Sequence, residues 1–321
     1  MKTISIFNQK GGVGKTTTVV NLSVALAYLD KKVLVIDMDP QANATTGLGV
    51  DKNKVDTSIY DLFYILGDKE EAEESDKEKQ TEEKDEPKVE DKPKGARFIN
   101  LAAHDETEDK SDDKGKEILE GKREESSHFE ENPQGFDQYI IKTKSGVDLI
   151  PSENSLSGLE VELVDLDPLE RTRKLKEIIG KIKAQYDFIL IDCPPSLGLL
   201  SINALVASDS IIIPIQTEYY ALEGVSELMN TFELVKGSLN KELYVEGVLL
   251  SMFDKRTKLA YEVVEEVKKF FKDKVSATMI PRNVRLAEAP SHGKSAIEYD
   301  TKSQGAMAYI SLASEIRGNY E

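Results

Sequence analysis

Residues 10–17 read KGGVGKTT. Glycines at 11, 12 and 14 let a loop turn its backbone N–H groups inward as a concavity for an anion, and Lys15, directly after them, adds a point charge. Thr16 brings a hydroxyl of the kind that ligates Mg²⁺ beside a nucleotide. The chemistry on offer along Gly11, Gly12, Val13, Gly14, Lys15, Thr16 and Thr17 is therefore the capture of a nucleotide's phosphates, with Lys15 against the β- and γ-phosphates. The loop is complete with Lys15, yet a second lysine, Lys10, stands upstream of it.

A magnesium–phosphate site also needs carboxylates to hold the ion's water shell. Two short apolar runs end in them: FILIDCPPS carries Asp192, and VLVIDMDPQ carries Asp37 and Asp39. Acids at the C-terminal ends of parallel strands face the crevice in which ligands bind.

The positioning elements are readable as well. TISIFN (3–8) and KVLVID (32–37) are β-branched runs, and TTTVVNLSVALAYLD between them has Val20, Val24 and Ala27 on one helical face. That order is a βαβ unit and favours a parallel sheet. From Tyr186 the alternation resumes: YDFILID, a helix near 197–207, SIIIPIQ, a helix near 219–236, YVEGVLLSM, a helix near 258–271, SATMIP, and a helix near 304–317. YIIKTKSGVDLIPS (139–152) has the form of a hairpin around Ser145-Gly146 that re-enters the sheet. Nearly continuous apolar strands are expected where helices cover both faces. The fold class is α/β, a doubly wound, mostly parallel sheet of the P-loop NTPase kind.

Composition narrows the function. The chain has 321 residues and a formal net charge of −17. Residues 68–136 hold 25 acidic and 13 basic side chains, a net of −12, so the remaining 252 carry only −5. That stretch mixes Glu, Lys, Asp and Pro with almost no large apolar residues, and is expected to be a disordered or locally helical insertion into one domain formed by 1–67 and 137–321. The single cysteine, Cys193, excludes an internal disulfide framework and suits a reducing cytoplasm. It reads as a small core residue after Asp192. No run of about 18 apolar residues is present, so no membrane span is expected.

Five segments, KGGVGKTT with Lys10, VIDMDPQAN, LIDCPPSLG, IQTEYYALEG and IPRNVRLAEAPSHGK, occur in one order. Together they resemble the ParA family of partition ATPases, chiefly its chromosomal Soj branch, over about residues 1–66 and 138–319. The family belongs to the deviant Walker A group, with MinD, the arsenite-pump ATPase and the nitrogenase iron protein. The resemblance implies ATP and Mg²⁺ as cofactors and an ATP-bound homodimer in which Lys10 reaches the phosphates held by the other subunit. It implies that Asp39 orients the attacking water, that Asp37 and Asp192 hold the magnesium water shell with Thr16 bound directly, and that Pro281 and Asn283 contact adenine. Gly14 then leaves room for the opposing subunit.

The resemblance further implies sequence-independent DNA binding by basic residues of the late helices and loops, and release on hydrolysis stimulated by a ParB-like centromere-binding partner. Lys255, Arg256, Lys258, Lys268, Lys269, Lys272, Lys274, Arg282 and Arg285 are available, with Arg256 of FDKRTK the first choice. A segment of net −12 would compete with DNA for such a patch. The expected setting is cytoplasmic and nucleoid-associated. A MinD-like positioning ATPase for another cargo is the alternative, but the ending AYISLASEIRGNYE lacks a basic amphipathic tail. An iron protein needs two thiolates from each subunit, and one cysteine cannot supply them.

Overall fold

The computed structural model describes residues 1–65, 135–182, 185–219, 221 and 224–320. By internal contacts the chain divides into Met1–Glu70 with Phe136–Glu321, and Glu71–Gly135. The architecture below is that of the first unit. The insertion expected over 68–136 lies outside the described residues except at its last two positions. There Phe136 belongs to a 3-10 turn, Gly135–Tyr139, and packs against the core.

Seven strands form the sheet: β1 Lys2–Ile6, β2 Val33–Asp37, β3 Ile141–Lys142, β4 Asp148–Ile150, β5 Phe188–Asp192, β6 Ser210–Gln216 and β7 Tyr244–Ser251, in the order β3-β4-β2-β5-β1-β6-β7. All neighbours are parallel except β3 and β4, the expected hairpin. Gly146 has φ +80 at its turn, where its N–H donates to the Thr143 carbonyl at 3.3 Å.

Period-two alternation sends side chains to two cores. Leu34, Ile36, Ile189 and Ile191 face one side, with the helices Leu156–Glu162, Lys174–Ile182, Leu199–Ala207, Val225–Ser238 and Lys258–Phe271. Ile4, Ile6, Val33, Val35, Phe188 and Leu190 face the other, with Lys15–Tyr28 and Gln304–Gly318. Both faces are covered, which is why the strands read as unbroken apolar runs. At roughly 1.5–3 kcal/mol for each fully buried Leu, Ile or Val, these layers hold the strand ends rigidly enough to carry a site.

Two expectations shift. SATMIP is not a strand: the chain makes isolated bridges Val248↔Val275 and Phe253↔Pro281. Ser276 N–H donates to Val248 and Ile280 N–H to Leu250, so four residues on one side span two on the other and bulge away from the β7 ladder. The helix expected from 219 begins at Val225, after Gly224 at φ +82. Among the described residues no helix is long and apolar enough to cross a membrane.

Candidate nucleotide and magnesium site

The parallel register sets the acids side by side. Asp37 and Asp192 are Cα partners at the ends of β2 and β5, and Ile6 of β1 is level with Asp192. The glycine loop leaves β1 directly beyond, and the helix Lys15–Tyr28 starts from Gly14 at φ +94, with Gly12 at φ +76. A Cβ added at Gly11 or Gly12 would meet nothing within 4 Å, so the concavity is open to a ligand.

The helix N-terminus is arranged for an anion from outside the chain. It has no side-chain cap and no acidic residue in its first turn, and its first residue is a lysine. Helices ordinarily fill these positions with Ser, Thr, Asp or Glu; left bare, the N–H groups and dipole suit phosphate. Lys15 is only 7% exposed, and its ammonium donates to the Lys10 carbonyl at 3.1 Å. Burial lowers its pKa, while Asp192, Cys193 and Asp39 pull the other way. From the far side, Ser251 Oγ, at the end of β7, donates to the Val13 carbonyl at 2.8 Å.

Asp37 is fully buried and engaged. Its Oδ2 accepts from the Thr45 backbone N–H at 2.8 Å and from the Thr45 hydroxyl at 2.7 Å, and its Oδ1 from the Asp39 N–H at 3.2 Å. Burial raises its pKa to about 6 against these bonds. Ser152 completes the arrangement, its N–H donating to Thr45 Oγ1 at 3.1 Å and its hydroxyl to the Asp39 carbonyl at 2.7 Å. Asp39 is 7% exposed, with Oδ1 accepting the Gln41 N–H at 3.0 Å. Ala42 just beyond has φ +53, a strained conformation for a residue with a side chain.

Asp192 differs from both. It is fully buried, and among the described residues neither carboxylate oxygen has a hydrogen-bond partner. Burial first, then the Asp37 charge, drives its pKa well up; the Thr16 hydroxyl offsets this from the loop side without closing a well-formed hydrogen bond. A buried carboxyl left without a partner is costly, and a cation's water shell supplies what it lacks. Among the described residues no group of three or more His, Cys, Asp or Glu side chains could hold a metal ion. Magnesium, which keeps several waters and takes one or two carboxylates with phosphate oxygens, fits here in company with a nucleotide.

The remaining candidates stand apart from this cluster. Lys10 is exposed and pairs with no acid among the described residues; its backbone N–H is tied to Asn8 Oδ1 at 2.9 Å, and Asn8 Nδ2 to the Pro214 carbonyl at 2.7 Å. Asn283 caps the helix Val284–Glu288, its side-chain oxygen accepting from the Arg285 N–H at 2.9 Å, which leaves its amide N–H₂ for a ligand. Pro281 is half-buried beside it. Each preferred DNA-contact residue is matched to an acid: Arg256 to Asp254 at 2.6 Å, Lys258 to Glu262 at 3.2 Å, Arg282 to Glu218 at 3.2 Å, and Arg285 to Glu288 at 2.7 Å. Lys255, Lys268, Lys269, Lys272 and Lys274 are exposed with no such acid among the described residues.

Gly14 has φ +94, a conformation that strains any side chain, while an added Cβ would meet Ser251 Cβ only at an ordinary contact distance of 3.9 Å. Thr45, Ser152 and Ser251 carry no signal in the amino-acid order, because isolated hydroxyls have no spacing pattern and meet the site only through the sheet.

A family model described as an AAA domain matches residues 1–90 and 108–245. The chain is 44% identical over 320 residues to the sporulation initiation inhibitor protein Soj of Bacillus subtilis, covering 99% of each chain. It is 40% identical to the chromosome partitioning protein ParA of Myxococcus xanthus, covering 98% of this chain and 87% of that one. The chain belongs to the Soj/ParA family of chromosome-partitioning ATPases. Its fold matches cobyrinic acid a,c-diamide synthase of Mycobacterium smegmatis, solved with bound ADP and magnesium, with TM-score 0.67 at 27% identity over 98% of this chain and 93% of that one. As a Soj/ParA protein it is an ATP hydrolase. Phosphoryl transfer asks for positioning and charge stabilisation more than for a strong base.

Thr45 is the accessible test of this positioning. Thr45→Val should lower the single-turnover hydrolysis rate by on the order of tenfold with little change in nucleotide affinity, because Asp37 loses its shortest side-chain bond. It should also cost about 1–3 kcal/mol in chemical denaturation, since the buried Ser152 N–H loses its acceptor.

Proposed function

We propose that this Soj/ParA ATPase works as a nucleotide-switched dimer: two ATP-bound chains meet face to face, bind DNA without sequence preference, and part when a ParB-like centromere-binding partner stimulates hydrolysis. ATP with Mg²⁺ is the cofactor, with Thr16 the direct protein ligand and Asp37 and Asp192 holding the water shell. Asp39 orients the attacking water. The adenine base is read by Asn283 through its free amide, beside Pro281. The setting is cytoplasmic and nucleoid-associated.

Lys10 is the observation that carries this reading. The loop's own phosphate contact is met by the buried Lys15, whose ammonium is turned onto the Lys10 carbonyl, while the Lys10 side chain is exposed and unpaired among the described residues. Two triphosphates brought together concentrate negative charge, and a cation lent by each chain to the other offsets that repulsion.

DNA contact rests on phosphates, so affinity should fall steeply with salt. Lys268, Lys269, Lys272 and Lys274, which pair with no acid among the described residues, are better placed for it than Arg256, which must first leave Asp254.

Sizing with a non-hydrolysable ATP analogue is the test. The wild-type chain should shift from monomer to dimer, and Lys10→Ala should stay monomeric while binding the analogue within about threefold of wild type. A wild-type chain that holds the analogue tightly yet remains monomeric would remove the dimer and the segregation mechanism built on it.

A further inference from the structure

We propose that Glu160 is a positioning residue for ATP hydrolysis, acting through the loop Cys193–Gly198 that joins Asp192 to the following helix. The helix Leu199–Ala207 starts at Gly198 and has no cap from its own side chains. The carboxylate comes from another element: Leu200 N–H donates to Glu160 Oε1 at 3.2 Å. A carboxylate at a helix N-terminus satisfies an orphan N–H and complements the dipole, so Glu160 pins the far end of the loop whose near end is Asp192.

Gly198 records how close that approach is. A Cβ built there would lie 1.9 Å from Glu160 Oε1 and 2.7 Å from Oε2. Its φ of −108 and ψ of −172 are open to any residue. A side chain at this position would therefore displace the Glu160 carboxylate, the end of a flexible side chain, without straining the backbone. Within the loop, Ser201 Oγ donates to the Ser196 carbonyl at 2.6 Å, a second tie between loop and helix.

The segment that carries Glu160 also reaches the other acid-bearing loop. Ser152, at its start, donates to Thr45 Oγ1 and to the Asp39 carbonyl. At its end Glu162 accepts from the Tyr64 hydroxyl at 2.8 Å and the Tyr60 hydroxyl at 3.3 Å, and between them Glu153 accepts from Ser58 Oγ at 2.9 Å. Residues 152–162 thus form a strap, anchored on residues 58–64, that touches the Asp37–Asp39 loop with one end and the loop after Asp192 with the other. Hydrolysis needs both loops in register around one phosphate, and displacement of a positioned group by about 1 Å can cost roughly 10²-fold.

The inference rests on ATP hydrolysis and stands apart from the proposed dimer, so three quantities are measured on one set of variants: affinity for a fluorescent ATP analogue, dimer fraction with a non-hydrolysable analogue, and single-turnover hydrolysis. Glu160→Ala should hydrolyse at least about tenfold more slowly, with affinity and dimer fraction within about twofold of wild type. Glu160→Gln, which keeps the acceptor for Leu200 N–H, should recover most of the rate. Gly198→Ala should reproduce Glu160→Ala by expelling the carboxylate, and the double variant should be no slower than the slower single. The proposal is overturned by wild-type rates in Glu160→Ala and Gly198→Ala, by rate losses that multiply in the double variant, by Glu160→Gln as slow as Glu160→Ala, or by a rate loss matched by an equal loss of dimer or of affinity.

Discussion

Asp192→Asn is expected to stabilise the nucleotide-free protein while abolishing its ATP hydrolysis. The two oxygens of Asp192 are buried without hydrogen-bond partners among the described residues, next to the Asp37 carboxyl. Removing the ionisable group relieves a buried charge, and the gain should be about 1–3 kcal/mol near neutral pH, or roughly 2–4 °C in Tm for each kcal/mol at this chain size. The gain should depend on pH. Asp37, raised to about 6, and Asp192, raised well above 3.8, bind their protons more tightly folded than unfolded. Such groups contribute stability that is complete below about pH 4 and is lost as pH climbs through the folded pKa values. Wild-type Tm should therefore fall from pH 4 through pH 6 and beyond in the absence of nucleotide, and Asp192→Asn should fall less. With Mg²⁺ and ATP bound, the ion favours the ionised carboxylates and the wild-type profile should flatten. Differential scanning calorimetry across pH checks both; a wild-type profile that rises with pH would refute the assignment.

Lys15→Gln should lose nucleotide affinity and hydrolysis together, by roughly 10²–10³-fold in rate, the cost of removing one preorganised donor from a developing charge. Its fold should survive. Lys15 is a buried cation whose pKa burial lowers, and its ammonium donates to the Lys10 carbonyl; a glutamine amide can still donate there. Isothermal titration with ATP, paired with thermal melting of the free protein, separates the two effects: heat of binding disappears while Tm stays within a few degrees. This contrasts with Lys10→Ala, expected to keep binding and lose dimerisation. The two lysines flank one glycine loop and differ in burial, and this difference motivates the contrasting outcomes expected of the two variants.

Much of this site is legible in the amino-acid order. A glycine loop between a β-branched run and a helix is a local pattern, so Lys10 to Thr17 announced itself; so did Asp37, Asp39 and Asp192, because each ends an apolar run. Alternation within the runs likewise foretold a sheet covered on both faces, since residue i and residue i+2 must share a face. The hydroxyls Thr45, Ser152 and Ser251 were invisible because a lone Ser or Thr has no period. So was Glu218 set against Arg282, since a pair 64 residues apart depends on how the chain comes back on itself, whereas Asp254 and Glu288 stand two and three residues from Arg256 and Arg285. SATMIP misled because an apolar, β-branched run can lie along a sheet edge without matching its hydrogen-bond spacing.

By itself, then, the amino-acid order determined the chemistry at each strand end and the fold that lines those ends up, because glycine freedom, apolar period and charge are properties of neighbours along the chain. The tertiary structure alone decided which carboxylate finds hydrogen bonds among the described residues and which does not, which lysine is buried and which is exposed, and that a glutamate at 160 lies on a glycine at 198. Those outcomes depend on distances between residues far apart in sequence, and such distances exist only once the two cores have closed.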